Sequence, residues 1–295
     1  MTTVNSMDAP KVGDKQSAKI SVYMPSKNRG PMVKRAIDSV MSQNYPNFEL
    51  VVVDDGSTDD TPALLEEYAQ RYDNFSYYRN EQSRGVAAAR NLAIEKSKGE
   101  FVTGLDDDDS FAPERLTTLM AAYDDKYAFV CSSVVWDYGH RQKVADDKAM
   151  VFSLSDQLSY NHATTQVLVR KERMKAICGF DTTLTARIDY DAWTCLMEKF
   201  GDAKRINPPS YILSRNAGVE RITTTERNIR GNHQFVKKHG GRMTAKNLAN
   251  QSFWDMYAQN HKFGLGELVR QMLAGNALVK LKFFIRVHFL PNWHK

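Results

Sequence analysis

Four short apolar runs, each closed by polar residues and each followed by a stretch of helical pattern, organise the first half of the chain. Lys19 to Met24 (KISVYM) is β-rich and ends at Pro25. Ser26 to Gly30 reads as a loop, and Pro31 falls in the first turn of a helix, where its missing N–H costs nothing. Phe48 to Val53 is a continuous apolar strand that stops at Asp54-Asp55-Gly56-Ser57, and Asp59 or Asp60 with Thr61 and Pro62 begins a helix running through Tyr72. Phe75 to Tyr78 gives a third strand, Gly85 to Lys96 an Ala-rich helix, and Phe101 to Leu105 a fourth strand bounded by Gly99 and by Asp106, Asp107, Asp108 and Asp109. Strands alternating with helices predict a mostly parallel sheet with right-handed crossovers, an α/β nucleotide-type layer.

Regularity then fades. Tyr127 to Val135 is another β-rich run, Trp136 to His162 is polar and loop-rich, Thr165 to Val169 alternates like a strand, and Glu172 to Ile177 is a short helix ended by Gly179. Ala192 to Phe200 is amphipathic, starts behind Asp189 and Asp191, and stops at Gly201. From Thr225 onward the pattern is largely helical, broken at Gly240-Gly241 and near Gly264 and Gly266. Val279 to Phe289 is an exception: apolar residues fall on every odd position with Lys280, Lys282, Arg286 and His288 between them, a period that fits a half-exposed strand. The expected organisation is a disordered lead (1–18), an α/β domain (19–224) divided into a nucleotide half (19–130) and a substrate platform (131–224), and a mainly helical basic extension (225–295).

Composition narrows the classes. A chain of 295 residues, 42% hydrophobic and 25% charged, can bury a sizeable core. The formal charge of +5 suits an anionic ligand or surface, but the basic residues are dispersed and not interleaved with aromatics, which argues against nucleic acid. Cys131, Cys178 and Cys195 are odd in number and lack CxxC spacing, so buried thiols in a reducing compartment are expected. No apolar run approaches the roughly 20 residues that span a bilayer and no signal-peptide core is present, so a cytosolic or peripheral protein is expected. No acidic residue follows Glu267, while Arg270, Lys280, Lys282, Arg286 and Lys295 remain beside Phe283, Phe284, Phe289 and Trp293. Contact with an anionic membrane through this basic segment stands against a packed edge element.

The candidate chemistry sits at strand ends. In open α/β sheets ligands bind at the carboxyl ends of the strands, where the four aspartates follow the fourth strand. Two like charges about 4 Å apart repel by roughly 4 kcal/mol at a surface-like dielectric, so the cluster needs solvent, protons or a cation. Hard oxygen ligands suit Mg²⁺ or Mn²⁺ completed by a substrate diphosphate; the plain alternative is a solvated acidic turn before a helix. At Asp54-Asp55-Gly56-Ser57 an acid can accept from a ribose hydroxyl or base N–H, whereas an Asx turn explains one Asp and the glycine but not the other Asp. Pro25 to Gly30 (PSKNRG) holds a single glycine where a dinucleotide fold needs G-x-G-x-x-G, and no P-loop occurs. His162 is a candidate acceptor contact; His233 and His239 lie in a polar helical stretch and read as surface residues. Arg215 and Arg221 with Thr223 could close over a diphosphate or simply be solvated.

ISVYMPSKNRG, QNYPNFELVVVDDGSTDDT, SRGVAAARNLAI and GEFVTGLDDDDSFAPERL, in this order and spacing, resemble successive blocks of a family 2 glycosyltransferase with a GT-A fold. The likeness is strong over residues 19 to 120 and extends more weakly to about 200. It implies a nucleotide-sugar donor, usually a UDP-sugar, a divalent cation (Mn²⁺ or Mg²⁺), and transfer with inversion at the anomeric carbon. By position, Pro25 and Asp55 match the family's nucleoside contacts, and Arg29 and Arg90 are candidates for diphosphate or base, with a merely solvated residue on the Ala-rich helix as the alternative for Arg90. Asp106 and Asp108 match its D-x-D, with Asp108 on the metal side and Asp107 in the variable, donor-side place. Gly179-Phe180-Asp181 and Ile188 to Trp193 (IDYDAW) resemble the segment in which a Glu-Asp pair precedes a helix and its Asp is the base. Asp189 takes that place and Ile188 replaces the Glu. An Asp flanked by Ile188 and Tyr190 can carry a raised pKa and serve as general base, and Asp191 is an acceptor-side candidate or a first-turn helix acid.

The resemblance thus implies a metal-dependent inverting transferase at the cytosolic face, acting on a glycan or lipid-linked acceptor in bacterial surface-polysaccharide or lipopolysaccharide synthesis. A nucleotidyltransferase would want a basic, glycine-rich loop after the first strand, which is absent. A non-catalytic nucleotide-sugar-binding module has Ile188 in its favour and the intact D-x-D with Asp189 against it.

Overall fold

Strand β1 (Ile20–Ser26), helix α1 (Gly30–Met41), β2 (Phe48–Asp54), α2 (Thr61–Arg71), β3 (Phe75–Arg79), α3 (Val86–Lys96) and β4 (Phe101–Gly104) alternate as the apolar runs predict. The computed structural model describes residues 17–145, 148–215 and 224–289, so most of the expected lead lies outside the described residues. β3, β2, β1 and β4 are parallel neighbours in that order, which brings the carboxyl ends of β1, β2 and β4 side by side. Both faces of this layer are buried, which is why β2 reads as an unbroken apolar run rather than an alternating one. Val22, Met24, Leu50 and Val52 face α1 and α2 in one core, while Tyr23, Val51, Val53 and Val102 face α3 in the other.

The sheet continues as a mixed one. β5 (Ser110–Phe111), α4 (Arg115–Ala122), β6 (Val130–Asp137), β7 (Gln142–Ala145), β8 (Met150–Phe152), α5 (Leu154–Ser159), β9 (Val167–Arg170), α6 (Lys171–Ala176), α7 (Ile188–Phe200) and β10 (Ala203–Ser214) follow. β9 joins β4 to β6, antiparallel to both, and β10 lies parallel to β6. Helix α7 begins four residues before the expected Ala192, which places Asp189 and Asp191 in its first turn.

The last part of the chain is α8 (Thr225–His239), α9 (Ala245–Ala258), α10 (Leu265–Leu273) and α11 (Ala277–Phe289). The strand expected at Val279 to Phe289 is therefore corrected to a helix. Its buried residues are Lys280, Phe283, Phe284 and Val287, an i, i+3, i+4, i+7 stripe hidden from the sequence because Lys280 counts as polar. The Lys280 ammonium is in fact satisfied inside, donating to Asn250 Oδ1 at 2.6 Å and to the Gln271 carbonyl at 2.8 Å, and burial pushes its pKa down to about 8. Phe253, Phe263, Leu268, Phe283, Phe284 and Val287 form the core of this helical part. No helix among the described residues is long and apolar enough to cross a membrane.

The cysteine expectation holds for Cys131, which is buried, and needs correction at Cys178, which is exposed. Cys178 stands in the turn that ends α6, at φ +62°, and that turn faces outward.

Candidate functional site

The end of β2 is built around a carboxylate turned inward. Asp55 is 4% exposed, and its oxygens accept from Asn80 Nδ2 (2.8 Å), Ser83 Oγ (2.6 Å), Arg84 N (2.8 Å) and Gly85 N (2.9 Å). Against the cost of burial, these bonds hold its carboxyl below the usual range. A carboxylate offers about four acceptor sites, so Asp55 spends its capacity on the loop that leads into α3. Gly56 has φ +79°, and a Cβ there would stand 3.1 Å from Ser83 N, so only glycine lets that loop lie against the β2 turn. Next to it, Pro25 is buried in β1 opposite Val53, and the Arg29 N–H donates to Thr61 Oγ1.

The four aspartates after β4 divide by role. Asp109 is buried and ties the turn to β10, accepting from Tyr211 Oη and Ser214 N at 2.8 Å each. Asp106 Oδ1 accepts from Arg90 at 2.5 Å. Asp107 and Asp108 are half-buried and have no salt bridge among the described residues. Burial pushes the Asp107 carboxyl up to about 7, with Asp108 and Asp106 adding to it, and Asp108 is raised in the same way. Arg90 pairs with Asp106, and Arg29 and Arg35 oppose the rise at Asp108 without cancelling it, so the turn keeps an excess of negative charge. Its donors are all hard oxygens, so Asp106 and Asp108 fit a Mg²⁺ or Mn²⁺ ion.

Arg90 joins this turn to the start of α7. Its guanidinium, 5% exposed, donates to Asp106 on one side and to Asp189 Oδ1 on the other, each at 2.5 Å, and lies 5.3 Å from the Phe180 ring centroid. Burial works against its charge, but the two carboxylates hold it protonated. The sequence left open whether Arg90 was merely a solvated helix residue; the structure buries it. Asp189 keeps 26% of its side chain exposed. Burial pushes its carboxyl up to about 6, Arg90 opposing and Asp106 adding.

Asp191 belongs to a different constellation. It is 1% exposed; Oδ1 faces His239 Nε2 at 2.9 Å and Oδ2 accepts from Lys238 Nζ at 2.8 Å. The other ring nitrogen of His239 faces Glu198 at 2.8 Å, and Lys238 also pairs with Asp181 at 2.9 Å. Of the two readings of Asp191, acceptor-side candidate or first-turn helix acid, the structure shows the second: it lies in the first turn of α7 and ties that helix to α8. His239, expected at the surface, is 2% exposed. The signal for this network lies in residues 41 to 57 positions apart, with no local spacing to betray it. Asp191, Cys195 and His239 are the group among the described residues whose ligand atoms come close enough to hold an ion. Their donors are spent, since both nitrogens of His239 face carboxylates and burial, with Asp191 adding, pushes the Cys195 thiol up to about 12.

The His162 ring lies against Tyr160 and Phe152, at 5.2 and 5.6 Å, and its backbone N–H donates to the Gln157 side-chain oxygen. Arg215 stacks on Trp136 at 5.3 Å, and Arg221 and Thr223 lie outside the described residues.

The family model described as "Glycosyl transferase family 2" matches residues 21–181. The WcaA protein of Escherichia coli (strain K12), named as a colanic acid biosynthesis glycosyl transferase, is 33% identical over 236 residues, which span 76% of this chain and 82% of that protein. Among solved structures, TarS 1-349 of S. aureus with UDP-GlcNAc matches with a TM-score of 0.67 at 22% identity, covering 91% of this chain and 81% of that one. The mannosyltransferase PcManGT of Pyrobaculum calidifontis, in complex with GDP-Man and Mn²⁺, matches with a TM-score of 0.60 at 19% identity, over 92% and 81% of the two chains. At such identities the two structures show a shared fold.

Proposed function

Because the chain belongs to glycosyl transferase family 2 and is a transferase of GT-A-like fold, we propose that it moves a sugar from a nucleotide-sugar, UDP being the expected carrier, to a hydroxyl of a glycan or lipid-linked acceptor, with inversion. The observation that carries this reading is the Arg90 bridge. One buried guanidinium holds the carboxylate of the leaving-group side, Asp106, and the carboxylate of the attacking side, Asp189, at a fixed separation.

In this reading the acceptor O–H gives its proton to Asp189, the oxygen attacks the anomeric carbon, and the bond to the diphosphate breaks on the opposite face. Arg90 engages Oδ1 of Asp189, and no hydrogen bond is made to Oδ2 among the described residues, so Oδ2 is the atom left for the proton. Asp106 and Asp108 would hold a divalent cation, which would supply positive charge to the departing diphosphate. Pro25 and the loop held by Asp55 frame the nucleoside, and Arg29 and Asp107 border the diphosphate. Synthesis of a surface polysaccharide at the inner face of the plasma membrane is the setting proposed, in line with the colanic acid assignment of the E. coli relative.

The test is incubation with UDP-, GDP- and dTDP-sugars and Mn²⁺, reading nucleotide release with and without acceptor glycans. Release of a nucleoside diphosphate with one donor is expected; no release with any donor, beside pyrophosphate release in a parallel incubation with nucleoside triphosphates and sugar 1-phosphates, would assign a nucleotidyltransferase. Asp55→Ala should weaken donor binding by about 1 to 3 kcal/mol by calorimetry and lower the melting temperature as well, since four donors lose their acceptor. Unchanged donor affinity would detach this loop from the nucleoside.

A further inference from the structure

Helices α10 and α11 leave an apolar and cationic surface that the proposed chemistry does not use. α10 turns Leu268 and Gln271 inward, while Leu265, Val269 and Leu273 stand outward at 70, 58 and 83% exposure, one stripe at i, i+4, i+8. α11 repeats the arrangement: Leu278, Ile285 and Phe289 are 64, 41 and 71% exposed, and exposed Lys282 falls in their stripe. A surface helix ordinarily keeps that face polar. Between α9 and α10 a groove of about 620 Å³, lined by Leu248, Leu273, Lys246 and Arg270 among others, continues the same ground.

Charge identifies the occupant. From α9 to the end of α11 the cations Lys246, Lys262, Arg270, Lys282 and Arg286 outnumber the acids Asp255 and Glu267, of which Glu267 is paired with Arg270 at 2.9 Å, and no acid follows Glu267. A second copy seated on this face by two-fold symmetry would bring cations against cations. An anionic bilayer instead offers negative headgroups to the lysines and arginines and an acyl boundary to the leucines and Phe289.

We propose that the outward faces of α10 and α11 dock on a bilayer of anionic phospholipid. This goes beyond the transfer reaction and does not rest on it, since the face can be assayed with neither donor nor acceptor. Lys280, which the sequence counted among the membrane-facing cations, is excluded because it is 1% exposed. The test is flotation of the full chain with vesicles of phosphatidylglycerol and phosphatidylcholine, against phosphatidylcholine alone. Wild type is expected to float with the anionic vesicles, and the double variant Val269→Glu, Leu273→Glu to partition at least about tenfold less, with melting temperature and nucleotide release unchanged. Equal flotation of the two proteins, or none by wild type, overturns the proposal. So does a wild-type dimer in sedimentation velocity that the double variant dissolves, which would give the face to a second copy.

Discussion

Replacing Asp189 by Asn is expected to cut turnover by roughly 10² to 10⁴-fold while leaving donor affinity nearly unchanged. The amide keeps the shape and still accepts from Arg90, but it cannot take a proton. Burial pushes the Asp189 carboxyl up to about 6, so its working, ionised form is lost as the pH falls through that value. The wild-type kcat/KM should therefore decline on the acid side of about pH 6 and level off above it, and Asp189→Asn should lose that limb along with most of its rate. Asp191→Asn provides the contrast. Its carboxylate is enclosed by Lys238 and His239, so the amide should lower the melting temperature, by about 1 to 3 kcal/mol of stability, and leave turnover largely intact. A folded but inactive Asp191→Asn beside an active Asp189→Asn would move the base by two residues.

The second large effect concerns the acidic turn. EDTA, and separately Asp108→Asn, should each reduce transfer to background, with Mn²⁺ restoring only the EDTA-treated wild type. The expected effect on folding has the opposite sign from most buried substitutions. Burial, with Asp106 adding, raises the Asp108 carboxyl. An acid whose pKa rises on folding costs stability once the pH exceeds its unfolded-state pKa, so neutralising it should hold or raise the melting temperature at neutral pH. Full transfer in EDTA would remove the cation from the reaction.

The fold of the first half was legible because local and global signals agree there. Buried parallel strands read as apolar runs, their ends carry turn chemistry, and the helices between start at Pro31 and Thr61-Pro62. The acidic turn after β4 was legible as a strand end for the same reason, though the separate duty of Asp109 became visible only when Tyr211 and Ser214 closed on it from β10. Arg90 was ambiguous in sequence, because an arginine on an Ala-rich helix looks solvated until the distant Asp189 is placed beside it. Two readings failed where a polar side chain is buried with its partners. Lys280 inside the α11 stripe made a helix look like a strand, and His239 between two carboxylates looked like a surface residue.

The grip of α8 on α7 also bears on how the chain melts. Tyr190, next to Asp189, stacks on Phe235 of α8 at 4.2 Å and donates to the Gln157 carbonyl, while Gln251 of α9 donates to its hydroxyl at 2.9 Å. The helical part thus works as a splint on the segment that carries Asp189, beyond the stretch that the family model covers. A chain cut before Thr225 would lose those braces and leave Asp191 buried without Lys238 and His239. Sheet and C-terminal helices should accordingly unfold as one cooperative unit, with a single calorimetric transition in place of two.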